Sequence, residues 1–227
     1  MHGYDISFAM NHTVFIPYKI SAKPYFKEFF YFCVTRLDIK RLMDILIALP
    51  LILICMCLLP LAAFFVTYQS KGSIFYSQYR YGKNKKPFRI FKLRTLHSHL
   101  CDDGQQQVVH KDPRVTRHGE WLRRYSLDEL PQLLNVLMGD MSLVGPRPHS
   151  IAMDDYYREF IIGYDNRYLA KPGLTGLAQI HGSRGETRLI QDMEKRIDYD
   201  TEYVINRSLK MDVLILLRTL SIVARPA

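Results

Sequence analysis

Two adjacent carboxylates, Asp128 and Glu129, stand where a helix is due to begin, and an arginine locked between Pro146 and Pro148 follows beyond that helix. A carboxylate can attack phosphorus and form an acyl phosphate, which a second phosphate can then displace. Both reactants are negative, so such a site needs cations. Arg123, Arg124 and Arg147 supply them, and arginine grips phosphate through two parallel bonds. A divalent ion is expected as well, and magnesium suits because it binds a carboxylate and substrate phosphates together. A plainer reading also exists. Ser126 and Glu129 have capping-box spacing, and Arg147 could form a surface ion pair. A cap alone, however, gives no reason for the arginines.

The helix that must position the pair follows it. Leu130, Leu133, Leu134, Leu137 and Met138 repeat at helical spacing, and Gly139-Asp140 ends the run. Its start has two registers: Ser126 as the cap with Glu129 three later, or Leu130 as the cap with Pro131 in the first turn. Both place Asp128 and Glu129 at the positive end of the helix dipole. Residues 74–94 read as a hairpin around Tyr81-Gly82-Lys83-Asn84. Cys101 to His110 reads as a polar loop, Asp154 to Tyr168 as a helix, and Lys171 to Gly176 as a rigid Pro-Gly turn. Leu189 to Asn206 reads as another helix, and Val213 to Val223 as an apolar, basic-flanked amphipathic one. The soluble part is thus mostly α with a small β-hairpin.

Lysine and arginine outnumber aspartate and glutamate by 31 to 22, which favours anionic partners. The cysteines Cys33, Cys55, Cys57 and Cys101 have no zinc-ligand spacing, and two lie in an apolar run, so neither a disulfide framework nor a metal cluster is indicated. From Ile45 to Ser70 no residue is charged. A straight helix of that length covers about 39 Å, more than a bilayer core of about 30 Å. Yet both flanks are basic, and basic flanks prefer the cytoplasmic side. Pro50 and Pro60 sit inside the run. A re-entrant helix–break–helix answers both facts, with Lys40 and Arg41 reaching lipid phosphates. The expected organisation is an N-terminal arm or interfacial segment at 1–36, the re-entrant helix at 37–70 and a catalytic domain at 71–227. The basic cluster Lys83, Lys85, Lys86 and Arg89 lies beside this helix and suits anionic lipid, so nucleic acid is not an expected partner.

With these residues placed, the chain resembles the monotopic phosphoglycosyl transferases of the bacterial sugar transferase family. The pieces are Lys40-Arg41 with Asp44, Lys92-Leu93-Arg94-Thr95, Asp112-Pro113-Arg114, Leu122-Arg123, Ser126 through Asn135, Gly139 through Ser142, Val144 through Pro148, and Pro172 through Gly176. The resemblance implies transfer of a sugar-1-phosphate from a UDP-sugar to undecaprenyl phosphate, with UMP released and magnesium required. It implies Asp128 as nucleophile and metal ligand, with Glu129 as its partner. Substrate and phosphate binding would fall to Arg147, Arg123, Arg94, Lys92, Arg114, Thr175 and Gly176. Lys40, Arg41 and Pro60 would serve the membrane and the lipid phosphate, at the cytoplasmic face of the bacterial inner membrane. Where the family breaks its membrane helix at Ser-Pro, this chain has Met56-Cys57, and Pro60 becomes the expected break. Pro148-His149 and Gly182 through Thr187 resemble the glucose-1-phosphate branch of exopolysaccharide synthesis. Galactose and N-acetylated sugars stay open, as does a homo-oligomer. Relatives often carry a large N-terminal membrane domain, so the chain reads as a minimal form. The competing class is a membrane-anchored scaffold without catalysis.

Overall fold

The computed structural model describes residues 25–100, 107–109, 111–187 and 189–224, with 25–38 as backbone alone. The expected arm before Tyr25 and most of the expected loop at 101–110 lie outside the described residues. The chain divides into two units, Met1–Asp38 and Ile39–Ala227. The second unit carries the site. Among the described residues it is mostly helical, with a small antiparallel hairpin and one long apolar helix.

That helix, α1 (Tyr25–Gln69), runs unbroken through Pro50 and Pro60. This corrects the expected break at Pro60. Proline removes one N–H and crowds the carbonyl a turn back. The bonds on either side still close, and on an apolar surface a freed backbone group would find no better partner. One stripe of α1 faces the rest of the unit. Asp44, Ala48 and Val66 are buried, and Ile52, Cys55, Leu59 and Ala62 pack between them at spacings of three and four. The opposite face exposes Leu46, Leu53, Met56, Leu58, Leu61 and Phe64.

The hairpin is β1 (Phe75–Tyr81) and β2 (Pro87–Leu93), paired from Phe75↔Leu93 to Tyr81↔Pro87. Its turn places Asn84 and Lys85 in the left-handed region at φ 55° and 58°, which asparagine tolerates well. After α2 (Arg117–Arg124), Leu127–Glu129 forms a single 3-10 turn, and α3 (Gln132–Met138) follows. Ser126 makes no side-chain cap and is itself left-handed at φ 58°. The capping-box register is therefore not formed, and Pro131 stands immediately before α3, within one residue of the alternative. Asn135 docks α3 on the hairpin. Its Nδ2 donates to the Arg89 carbonyl at 2.7 Å and its Oδ1 accepts from the Phe91 N–H at 3.2 Å. Around this join Phe88, Ile90, Leu133 and Val136 form the core with Met141 and Leu143.

Lys171 to Gly176 is a correction too. Within it β4 (Gly173–Thr175) pairs in parallel with β3 (Ser142–Val144). The backbones approach so closely that a Cβ on Gly145 would lie 2.2 Å from the Lys171 carbonyl. Only glycine fits there, and that contact fixes the start of the Pro146-Arg147-Pro148 run. The helix expected at 154–168 is split into α4 (Ile151–Arg158) and a 3-10 stretch, Tyr164–Leu169, separated by left-handed Gly163 at φ 78°. Buried Asp154 gives the reason, because its Oδ1 accepts from the Tyr164 hydroxyl at 2.6 Å and from Arg167 Nη1 at 3.2 Å. A straight helix could not turn both side chains onto that carboxylate. The remaining helices are α5 (Leu177–Ile180), α6 (Ile190–Asn206) and α7 (Leu209–Ala224), with Tyr203 and Ile215 buried in the main core.

Asp44, 2% exposed, joins α1 to β3: its Oδ1 accepts from the Ser142 hydroxyl and the Leu143 N–H, each at 3.1 Å. Asp44→Ala strands both donors and should cost about 2–4 kcal/mol, at roughly 1–3 kcal/mol for each unsatisfied group. Asp44→Asn keeps Oδ1 and should cost less than half of that in denaturant unfolding of the detergent-solubilised protein.

Candidate active site

Strand alternation builds one wall of a cleft of about 920 Å³. Tyr76, Gln78 and Arg80 recur at every second position of β1 and point to one face of the hairpin, where they line the cleft with Lys92 of β2. Arg123 enters from α2, Asp128 from the 3-10 turn, Arg147 from the proline-locked segment, Arg184 from the turn before α6 and Arg196 from α6 itself. The lining is therefore rich in guanidinium groups, with Asp128 and Glu186 as its carboxylates.

The two acids have opposite surroundings. Arg147 holds Glu129 in a two-pronged grip, Nη1 to Oε2 at 3.0 Å and Nη2 to Oε1 at 2.5 Å. Lys92 Nζ adds a third bond to Oε1 at 3.0 Å. Burial opposes ionisation of Glu129, but the charges of Arg147 and Lys92 outweigh it and hold the carboxyl well below the usual range. Asp128, 5% exposed, has no hydrogen-bond or ion-pair partner among the described residues. Burial, followed by the neighbouring Glu129 charge, pushes its carboxyl up, although Lys92 and Arg123 pull the other way. One carboxylate is thus a fixed anion that organises cations, while its neighbour faces the cleft with its lone pairs free. That asymmetry suits a nucleophile beside a charge anchor. Among the described residues no group of three or more His, Cys, Asp or Glu side chains could enclose a metal ion.

The structure brings together Asp128, Glu129, Lys92, Arg123 and Arg147. Other expected site residues are placed elsewhere. Arg94 forms part of the wall, but its guanidinium donates to the Ser70 carbonyl and to Lys71 O at 3.0 Å, so it caps the end of α1. Arg114 forks onto Asp112, with Nη2 to Oδ2 at 2.7 Å, outside the lining. Thr175 bonds Thr219 at 2.7 Å, and Gly176 packs against Gly145, so both brace the arginine segment from behind. Lys40 turns inward to Asp212 at 2.7 Å and to the Val144 carbonyl at 3.2 Å. Arg41 donates to the carbonyls of Val136 and Leu137 at the end of α3. Both head groups are thus engaged by groups of the protein itself. Pro60 lies on the exposed face of α1. Trp121 is exposed and packs beside Tyr125.

The sequence does not mark Arg80, Arg184 and Arg196 as phosphate-binding residues, although Arg184 lies in the Gly182–Thr187 motif. The alternation of Tyr76, Gln78 and Arg80 was the available signal for the first. The other two become neighbours of the acid pair only through the fold. A further buried group supports Arg147. Arg167 donates to the Arg147 carbonyl and pairs with Asp200 at 3.1 Å, and its Nη1 also reaches the Tyr164 hydroxyl at 3.0 Å. His149 sits in the same group; burial, then the Arg167 charge, holds its imidazole neutral, well below its usual range.

The chain resembles a glucose-1-phosphate transferase acting on UDP-glucose and undecaprenyl phosphate from Escherichia coli K12, with 44% identity over 80% of this chain and 39% of that protein. A protein of the same description from Caulobacter vibrioides is 49% identical over 79% of this chain and 67% of its own length. The exopolysaccharide production protein PSS of Rhizobium leguminosarum bv. phaseoli is 43% identical over 81% of this chain and 94% of its own. The chain thus spans well under half of the E. coli relative and nearly all of the Rhizobium one. The family model described as bacterial sugar transferase matches residues 35–226, which include both acids, the proline-locked arginine and every wall of the cleft. The chain belongs to the bacterial sugar transferase family.

Proposed function

We propose that the protein transfers a sugar-1-phosphate, glucose-1-phosphate in the favoured case, from a UDP-sugar to undecaprenyl phosphate through a covalent intermediate on Asp128. The observation that carries this reading is the free Asp128 carboxylate beside a fully engaged Glu129. The relatives' descriptions support the substrates and the sugar.

In the first step an Asp128 oxygen forms a bond to the β-phosphorus. The bond from that phosphorus to the bridging oxygen breaks, and the electron pair leaves with UMP. In the second, a lipid phosphate oxygen displaces Asp128 from the same phosphorus. Lys92 and Arg147, already fixed on Glu129, present charge to the phosphoryl oxygens without having to reorganise. Magnesium carried on the diphosphate fits the donor set: Asp128 and substrate phosphate oxygens would hold it, and it would offset negative charge.

Placement on a membrane follows from α1. Within the apolar stretch Ile39–Gln69, Lys40 and Asp44 at one end, and Val66, Gln69 and the following Ser70 at the other, are all tied to one folded unit. Anchoring of both ends of this stretch to the same body supports placing them on one side of a bilayer. The exposed apolar face of the unbroken helix would then lie in the cytoplasmic leaflet without crossing it. Reporters fused ahead of residue 1 and after residue 227 should both read cytoplasmic. A periplasmic signal from the first would reject this one-sided placement.

Asp128→Asn should reduce turnover at least 1,000-fold and abolish the adduct. It should raise the unfolding temperature, because it removes a buried charge disfavoured by its surroundings. Normal turnover in that variant ends the proposal. The pH dependence has a definite sign. The nucleophile must be ionised and its carboxyl titrates above the usual range. The rate of UMP formation should therefore fall with decreasing pH along a limb centred above about 4, the value of an ordinary aspartate. Glu129→Gln deletes the negative neighbour that raises Asp128, so it should slow the reaction at least 100-fold and move this limb to lower pH. A limb left in place would separate Glu129 from the titration of Asp128.

A further inference from the structure

The cleft holds more positive charge than its acids use. Lys92 and Arg147 are matched to Glu129, and Arg94 to the end of α1. Arg80, Arg184 and Arg196 line the same cleft and form no ion pair among the described residues. Their hydrogen bonds go to neutral acceptors. Arg80 Nη2 donates to Gln78 Oε1 at 2.6 Å, Arg184 Nη2 to the Ser126 hydroxyl, and Arg196 Nη2 to the Gly185 carbonyl at 2.9 Å. The Nε atoms of Arg80 and Arg196 are buried without any partner, and Arg196 as a residue is only 3% exposed. Confinement of like charges here is costly. Burial, then the Arg147 charge, lowers Arg80 to about 10, and the same two causes in the same order lower Arg196 to about 10. A fold that gathers three unmatched guanidiniums leaves a site that an anion completes.

We propose that Arg184 and Arg196, with Arg80 beside them, form the subsite for the phosphate that leaves with the nucleotide, distinct from the Lys92–Arg147 group at the attacked phosphate. This rests on the reaction proposed above. A nucleoside diphosphate sugar carries two phosphates, and as the bridging bond breaks the departing one gains charge on the former bridging oxygen. Arg184 is placed for that role by its bond to Ser126, two residues before Asp128. Arg196 is placed by its own two anchors, Gly185 O and His149 Nε2, the latter at 3.1 Å. Neutral His149 can accept there with Nε2, while its Nδ1 faces Arg167 Nη1, the Tyr164 hydroxyl and the Asp154 carboxylate. The turn that carries Arg184 is thus tied to the floor that carries Arg147. The lipid acceptor brings one phosphate, to the phosphorus already on Asp128, and has no need of this subsite.

The test compares the full chain in lipid particles with Arg184→Gln, a half-buried position, and with Arg196→Gln. UMP and uridine binding are measured by competition, and the two half-reactions separately. UMP binding should weaken at least tenfold in Arg184→Gln while uridine binding stays unchanged. UMP formation should become slower at low UDP-sugar, while transfer from preformed adduct to undecaprenyl phosphate stays within twofold of wild type. Unchanged UMP binding in a folded Arg184→Gln variant would overturn the proposal, as would equal losses for UMP and uridine or equal losses in both half-reactions. Arg196→Gln should repeat the pattern, and its unfolding temperature shows whether the variant is intact. If wild type forms no adduct, the reaction reading fails, while the UMP-against-uridine comparison still decides the subsite.

Discussion

The three-bond grip of Arg147 and Lys92 on Glu129 is the interaction on which the rest of the site depends. Two carboxylates on consecutive residues in a buried turn repel each other, and ionising both without compensation would be prohibitive. Assigning the cations to one acid resolves this. Glu129 becomes a permanent anion, and the two cations it collects stand beside the other acid. Asp128 keeps an open coordination face, at the cost of a raised proton affinity. Under the proposed reaction that combination is useful, because the cations are in place before phosphate arrives.

The fold is organised around keeping that grip in register. Asn135 fixes α3 on the hairpin, so the turn carrying both acids is held beside Lys92 on β2. From the other side, the parallel contact between Gly145 and Gly173 leaves no room for a side chain and sets the approach of Arg147. Arg167, itself fully engaged by Asp154, Tyr164 and Asp200, holds the Arg147 carbonyl. Arg147 is therefore constrained by two prolines, a glycine contact and a buried guanidinium before it touches Glu129. Long-range polar ties do the same for α1, whose Lys40, Arg41 and Asp44 all bond to residues more than ninety positions away.

Much of this was legible in sequence where the signal is local. Hairpin strands, the stripe of α3 and the apolar run of α1 follow from periodicity, and the acid pair and Pro-Arg-Pro stand out by residue type. Long-range partners were not legible. Nothing near Asp154 tells that Tyr164 and Arg167 fold back onto it, so the segment reads as one helix. Lys171 to Gly176 reads as a turn because its strand pairing is with residues far upstream. Arg94, Lys40 and Arg41 read as phosphate or lipid binders because their charge is visible, whereas the carbonyls that consume it are set by tertiary packing. Arg184 and Arg196 lie well beyond the acid pair in sequence and join it only through the docking of α6.

The central claim is that Asp128 carries the sugar phosphate between donor and acceptor. Its most direct test is mass spectrometry of the intact protein, then of its peptides, after incubation with UDP-glucose and no lipid acceptor. The account predicts a hexose-phosphate adduct on the peptide containing Asp128, lost when undecaprenyl phosphate is added. Lipid product forming at the full rate while Asp128 remains unmodified throughout would contradict it.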